Sequence, residues 1–290
     1  MNTCPACGTV ADQRYTIADR FQSPLVIERC ASCGMELLAS AEQNPNELYG
    51  EDYYTGRAEY SYRDERERVR FDRHVWNARL KEIGRFVAPP ADFLDVGCAF
   101  GGFVECAGEF GYKARGLDVS EFAVRDGRAR GLDLIRGELK PGVLPDSSVD
   151  VLTMIEVLEH LPDPVAAFQA MRDLVRPGGL VVIQTANFLG RQARRAGESY
   201  HYYLPGHLYY YSTHNLRLLL ERFGFSRIKF FRPVEFGLLA KLKKSRGDFR
   251  KLSDYRRWWP TARYHWLSHL AWRDFAYTSS MVCYARRNRY

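Results

Sequence analysis

Phe93-Leu94-Asp95-Val96-Gly97-Cys98-Ala99-Phe100-Gly101, followed one helix-length later by Gly116-Leu117-Asp118, reads as the opening strand, turn, helix and second strand of a doubly wound parallel α/β sheet. The apolar strand ends in an acid and turns through small residues. Glycine lacks a Cβ, so the main chain and a helix N-terminus can approach a ligand closely there. The second strand ends in another acid, Asp118, about 20 residues beyond the turn, where such sheets place a carboxylate against both hydroxyls of an adenosine ribose. The turn is not Gly-x-Gly-x-x-Gly. Asp95 stands two residues before Gly97, where it would repel a pyrophosphate and favour a cation, which suits an amino group and a sulfonium.

Asp-x-Gly-x-Ala-x-Gly over Asp95, Gly97, Ala99 and Gly101 resembles the first motif of class I S-adenosylmethionine (SAM) dependent methyltransferases, with Ala99 in place of the usual second glycine. The resemblance implies a Rossmann-like doubly wound sheet, SAM as cofactor, Asp95 toward its methionine end and Asp118 on its ribose. Ser148-Val149-Asp150-Val151-Leu152 and Glu156-Val157-Leu158-Glu159-His160-Leu161-Pro162 are similar to the fourth-strand motif of small-molecule members. That likeness places Ile155 and Glu156 beside the methionine moiety and the methyl acceptor, and Glu138, after the third strand, against the adenine amino group. Glu159 and His160 have two readings, capping of the next helix or direct catalysis.

The periodicity supports the same fold. Apolar residues at Val69, Val75, Trp76, Leu80, Ile83 and Val87 predict a helix over 64–87, stopped by Pro89-Pro90. Strands are expected at 92–96, 113–118, 133–136, 149–155 and 180–186, with helices at 102–110, 121–130 and 164–175 between them. Arg176-Pro177-Gly178-Gly179 reads as a turn. A helix at 215–223 and strands at 227–234 and 279–285, paired as an antiparallel hairpin, complete the pattern.

Tyr200-His201-Tyr202-Tyr203-Leu204-Pro205-Gly206-His207-Leu208-Tyr209-Tyr210-Tyr211-Ser212 follows the fifth strand. Sugar C-methyltransferases carry a His-Glu-His-x-x-Tyr-Phe-Ser stretch there, and aligning the serine places His207 on the second histidine, a candidate general base. Gly206 replaces the glutamate, which favours deprotonation of a hydroxyl over carbanion formation. Histidine suits either task because its pKa lies near working pH. His207, His201 and His160 are thus the candidate catalytic residues, weighed against a packing role for each.

Cys4-Pro5-Ala6-Cys7-Gly8 and Cys30-Ala31-Ser32-Cys33-Gly34 form two Cys-x-x-Cys knuckles, the pattern of a closed tetrahedral zinc site with a structural role. Two disulfides are the rival reading. The absence of an apolar leader and the leftover Cys98, Cys106 and Cys283 favour a reduced, cytoplasmic protein instead. The expected organisation is a zinc ribbon at 1–48, an aromatic linker at 49–63 and a methyltransferase domain at 64–290.

The chain has 290 residues and a formal net charge of +7. Residues 236–274 hold ten Lys or Arg against three Asp, together with Trp258, Trp259, Tyr264, Trp266 and Trp272. This basic aromatic insertion suits a lid over the acceptor, RNA, an anionic membrane surface or a diphosphate-linked sugar. The sequence therefore predicts a SAM-dependent methyltransferase acting by O- or C-methylation on a sugar, nucleotide-linked sugar or other biosynthetic small molecule. The alternatives are an RNA methyltransferase using ribbon and insertion, and a non-catalytic SAM-binding scaffold. Oligomeric state is not legible.

Overall fold

The computed structural model describes residues 2–19, 21, 23–39, 48–58, 61, 64–204, 206–272 and 275–289. Parts of the expected ribbon (40–47) and linker (59, 60, 62, 63), together with Pro205, Arg273 and Asp274, lie outside the described residues. The elements run β1 (Gln13–Ala18), β2 (Pro24–Arg29), β3 (Glu36–Leu38), α1 (Glu51–Tyr54), α2 (Val69–Gly84), β4 (Asp92–Val96), α3 (Gly102–Glu109), β5 (Lys113–Asp118), α4 (Glu121–Ala129), β6 (Leu134–Arg136), β7 (Val149–Ile155), α5 (Pro164–Leu174) and β8 (Val175–Ala186). They continue with α6 (Arg191–Ala196), β9 (Tyr209–Tyr210), α7 (Thr213–Arg222), β10 (Phe225–Phe231), α8 (Leu238–Ser245), α9 (Trp258–Ser268), β11 (Ala271–Trp272), β12 (Phe275–Ala276) and β13 (Ser280–Arg287).

Seven strands form the central sheet in the order β10-β13-β8-β7-β4-β5-β6. β8, β7, β4, β5 and β6 run parallel, and the β10–β13 pair closes the edge antiparallel. Both faces of the sheet are covered, which is why its strands are apolar in near-continuous runs. Alternate residues feed opposite layers. Leu94, Val96, Leu152 and Met154 join one buried cluster with Phe168 and Leu216, while Phe93, Val151 and Val182 join the other with Leu80, Ile83 and Phe103.

Local chemistry sets the ends of the helices. Ser120 and Asp163 accept from the N–H groups of Ala123 and Ala166 at the starts of α4 and α5, and Ser212 with Asn215 forms a reciprocal cap on α7. Two expectations shift. The helix predicted from residue 64 starts at Val69, because Asp64 caps a separate 3-10 turn at Glu65–Glu67. The predicted turn at 176–179 lies inside β8, whose pairing with β7 shifts register between Val149↔Val175 and Val151↔Leu180.

The ribbon strands β1, β2 and β3 form an antiparallel sheet, and β9 of the central fold is its fourth strand, through Glu36↔Tyr210 and Leu37↔Tyr209. Cys4, Cys30 and Met35 belong to the same buried cluster as Leu94 and Met154, so the ribbon shares a core with the central sheet. No helix among the described residues is long and apolar enough to cross a membrane.

Candidate functional site

The turn after β4 bends through three left-handed residues, Gly97 (φ 71), Ala99 (φ 48) and Gly101 (φ 81). A Cβ at Gly97 would sit 2.2 Å from Val157 Cγ2, so the position requires glycine. Ala99 adopts the left-handed region despite its Cβ, at an expense of roughly 1–2 kcal/mol that the surrounding contacts sustain. One such contact is its own N–H, which donates to Asp118 Oδ2 at 2.8 Å. Asp118 Oδ1 also accepts from the Ser120 N–H at 2.9 Å and the Tyr54 hydroxyl at 3.3 Å. The acid at the end of β5 therefore braces the turn at the end of β4.

A cavity of about 960 Å³ opens over these strand ends, bounded by the turn, Asp118, the β7 terminus, the tyrosines of the 49–54 segment and α8. It contains an unusual concentration of buried carboxyls. Burial pushes Asp95 up to about 7, although Thr153 donates to its Oδ1 at 2.6 Å. Burial likewise pushes Glu65 up to about 8 and raises Asp118 despite its three donors. Carboxyls held in this state gain most from an arriving cation. The residues present therefore fit SAM, whose sulfonium and amino groups are both positive.

SAM binding should accordingly release protons at pH 7 and tighten as pH rises from 6 to 8, since Asp95 begins largely protonated below 7 and must ionise to meet the cation. Calorimetry in buffers of different ionisation enthalpy measures this directly. A pH-independent affinity would remove Asp95 from the cationic end of the cofactor.

Residues 67–229 match the family described as methyltransferase domain, which is more than half of the chain. The chain belongs to that family. It is 31% identical over 156 residues to the ubiquinone biosynthesis O-methyltransferase of Thiobacillus denitrificans, covering 51% of this chain and 61% of that protein. Over 102 residues it is 39% identical to the protein of the same description from Cupriavidus pinatubonensis, covering 32% and 41%. The chain thus spans less than two thirds of the length of either relative. A SAM-dependent methyltransferase of Archaeoglobus fulgidus has the same fold, with 17% identity, a TM-score of 0.52 and coverage of 77% of this chain and 98% of that one.

In this methyltransferase domain, Ile155 and Glu156 line the cavity where β7 stops. Glu156 is left-handed (φ 56), and its Oε1 accepts from Gln184 Nε2 at 2.6 Å. Gln184 Oε1 accepts in turn from Arg79, which pairs with Glu235. Glu159 is buried and takes the Thr185 hydroxyl at 2.9 Å; burial, then the charge of Glu156, raises its pKa. Glu138 lines the opposite end of the cavity and lies 3.6 Å from Lys140.

The three histidines differ in their relation to the cavity. His160 lines the cavity, and its Nδ1 meets the Gly206 carbonyl at 2.7 Å. His207 does not reach the cavity lining: it is 5% exposed, bonds the Tyr202 carbonyl through Nδ1 at 2.7 Å, and packs edge-on behind His160 with ring centroids 4.7 Å apart. His201 is not among the residues lining the cavity; its ring is edge-on to Tyr200 and tilted against Tyr202. Carbonyls accept only, so both buried rings carry hydrogen on Nδ1 and leave Nε2 with its lone pair. Burial pushes His160 down to about 4 and keeps both rings neutral. Glu159, His160 and His207 also bring ligand atoms within 4.8 Å of one another, one of two groups among the described residues that could take a metal ion.

The other group is Cys4, Cys7, Cys30 and Cys33, again within 4.8 Å. Each knuckle repeats the same turn, with Gly8 N–H on Cys4 O and Gly34 N–H on Cys30 O, both glycines left-handed. Sulfurs of opposite knuckles approach to 3.5 Å and 3.4 Å, close to the roughly 3.8 Å edge of a tetrahedron with 2.3 Å Zn–S bonds. The Cys33 contact pulls the Cys4 thiol down to about 5 while raising Cys33 itself.

Sequence reasoning missed Glu65 and read Tyr54 only as part of the aromatic linker. Glu65 Oε1 accepts the Gly102 N–H at 3.1 Å at the start of α3, and Tyr54 reaches Asp118. The Asp64-Glu65 pair ahead of a helix was the available signal.

Proposed function

We propose that this chain is a SAM-dependent methyltransferase that methylates a hydroxyl of a biosynthetic small molecule, a sugar or an aromatic alcohol, with His160 as the general base. The observation that carries this reading is the His160 ring, neutral, oriented by the Gly206 carbonyl and set in the cavity wall beside Glu156. The relatives described as O-methyltransferases support oxygen as the acceptor atom.

Asp95, Glu65 and the glycine turn would hold the methionine end of SAM, Asp118 its ribose, and Glu138 its adenine. When bound, SAM would supply a methyl group already activated on a sulfonium, its sulfur leaving as the neutral thioether of S-adenosylhomocysteine. The protein then has to orient the acceptor, exclude water and accept one proton. Orientation supplies most of the rate. Nε2 of His160 would hold the proton released from the acceptor hydroxyl. His207 acts as a positioning residue by packing behind that ring.

The four cysteines fit a structural zinc ion. All four coordination positions would be filled by protein thiolates, so the ion would brace the ribbon and leave the chemistry to the other end of the fold. The ribbon at 1–48, linker at 49–63 and catalytic region at 64–290 are the corresponding division of the chain.

Transfer of radiolabelled methyl from SAM into the small-molecule fraction of a cell extract tests the function. Label confined to RNA or protein would overturn it. His160→Ala should lower turnover on the labelled acceptor about 100-fold, the lower range of general-base contributions, with SAM affinity within twofold of the parent. Unchanged turnover would transfer the proton-accepting role to Glu156.

A further inference from the structure

Lys241, on α8, lines the cavity wall together with Phe236 and with Thr261 of α9, the insertion's second helix.

 The other cations of this wall are matched. Arg79 is paired with Glu235 at 2.5 Å, Lys244 with Asp72 at 2.8 Å, and Arg68 with Asp248. Glu235 is committed further, with the Tyr284 hydroxyl 3.4 Å away. Among the described residues, no carboxylate lies within 4.0 Å of the Lys241 ammonium, whose recorded neighbour is the Tyr264 ring at 5.8 Å. Burial, then the charge of Arg79, pushes it down to about 8, so it remains mostly charged at neutral pH. Glu235 acts on it only from beyond ion-pair contact; a partly buried cation with no carboxylate in contact is costly to keep, and an arriving anion would regain that expense on binding.

We propose that Lys241 is the acceptor-recognition residue of this cavity, and that the acceptor carries an anionic group, a carboxylate or a phosphate, which pairs with its ammonium. This rests on the hydroxyl-methylation reading and narrows it. The reacting hydroxyl lies toward His160, the anionic group lies toward α8, and a neutral acceptor leaves the lysine unmatched. Lys241 takes no part in cofactor binding, so its loss weakens acceptor binding and leaves SAM in place.

The test uses the full-length protein, radiolabelled SAM and the ultrafiltered small-molecule fraction of a cell extract, with labelled products passed over an anion exchanger at pH 7. The expected result is that the label is retained. Phosphatase and phosphodiesterase treatment separates the two sources: label released by them marks a phosphate, and label still retained marks a carboxylate. Lys241→Gln should cut labelling of the retained product at least tenfold at limiting extract, through KM, with unchanged SAM affinity, and Lys241→Arg should restore most of it. Label that flows through as a neutral product, or equal labelling by Lys241→Gln, would overturn the anion site while leaving methyl transfer intact. No small-molecule label despite SAM binding would overturn the hydroxyl reading, and the anion site with it.

Discussion

Asp118→Ala should weaken binding of S-adenosylhomocysteine at least 100-fold. In the proposed binding mode the carboxylate accepts both ribose hydroxyls, and hydrogen bonds to a charged group contribute about 1.5–3 kcal/mol each, so losing two removes two or more factors of ten. The same side chain braces the turn through the Ala99 and Ser120 N–H groups at 2.8 Å and 2.9 Å, and its removal frees Ala99 from an unfavourable left-handed conformation. Asp118→Asn separates these contributions. An amide oxygen can still accept from the Ala99 N–H, which keeps that brace of the turn while the Ser120 bond on the other oxygen is given up; the charge is lost and affinity should fall by about tenfold. Calorimetric titration of both variants decides the matter. Alanine-variant affinity equal to that of the parent would move the ribose away from the end of β5.

The features legible in the sequence are those whose meaning is local. The glycine turn and Asp118 reveal themselves because a strand-end acid and a Cβ-free turn have few other uses together. The paired knuckles are readable because four cysteines at that spacing converge on one point. The residues that were misread depend on distant contacts. Glu65 and Tyr54 precede β4 and reach the turn only when the chain folds back, with |i−j| of 37 to Gly102 and 64 to Asp118. His160 and His207 are both in segments beyond strand ends, and sequence spacing cannot say which ring lines the cavity. That choice follows from β9, which pairs with ribbon strand β3 and draws His207 behind His160. The insertion was legible as basic and aromatic, whereas the unmatched ammonium of Lys241 in the cavity wall depends on which carboxylates its neighbours have taken.

Metal removal should have its effect at both ends of this protein. Metal binding to a zinc ribbon contributes about 10–16 kcal/mol in isolated peptides, and here the site lies in a shared core: Cys4, Cys30, Cys33 and Met35 pack in one cluster with Met154 and Leu158. The ribbon also holds the loop behind the proposed base. Leu38 N–H donates to Leu208 O at 2.9 Å, Leu208 N–H donates to Glu159 O at 2.8 Å, and Arg222 reaches Pro5 O at 2.9 Å. The expected result is one zinc per chain by elemental analysis, and on chelation a fall in Tm of at least about 10 °C, using roughly 2–4 °C per kcal/mol for a domain of this size. Methyl transfer should be lost at chelator concentrations that leave cofactor binding measurable, because β9, Leu208 and His207 lose their support while the glycine turn and Asp118 keep theirs. Cys4→Ser with Cys33→Ser should reproduce the chelated state without added reagent. A protein that purifies without metal and keeps its Tm in chelator would show that the four thiols pack without an ion, and the support of His160 would then rest on the ribbon's apolar contacts alone.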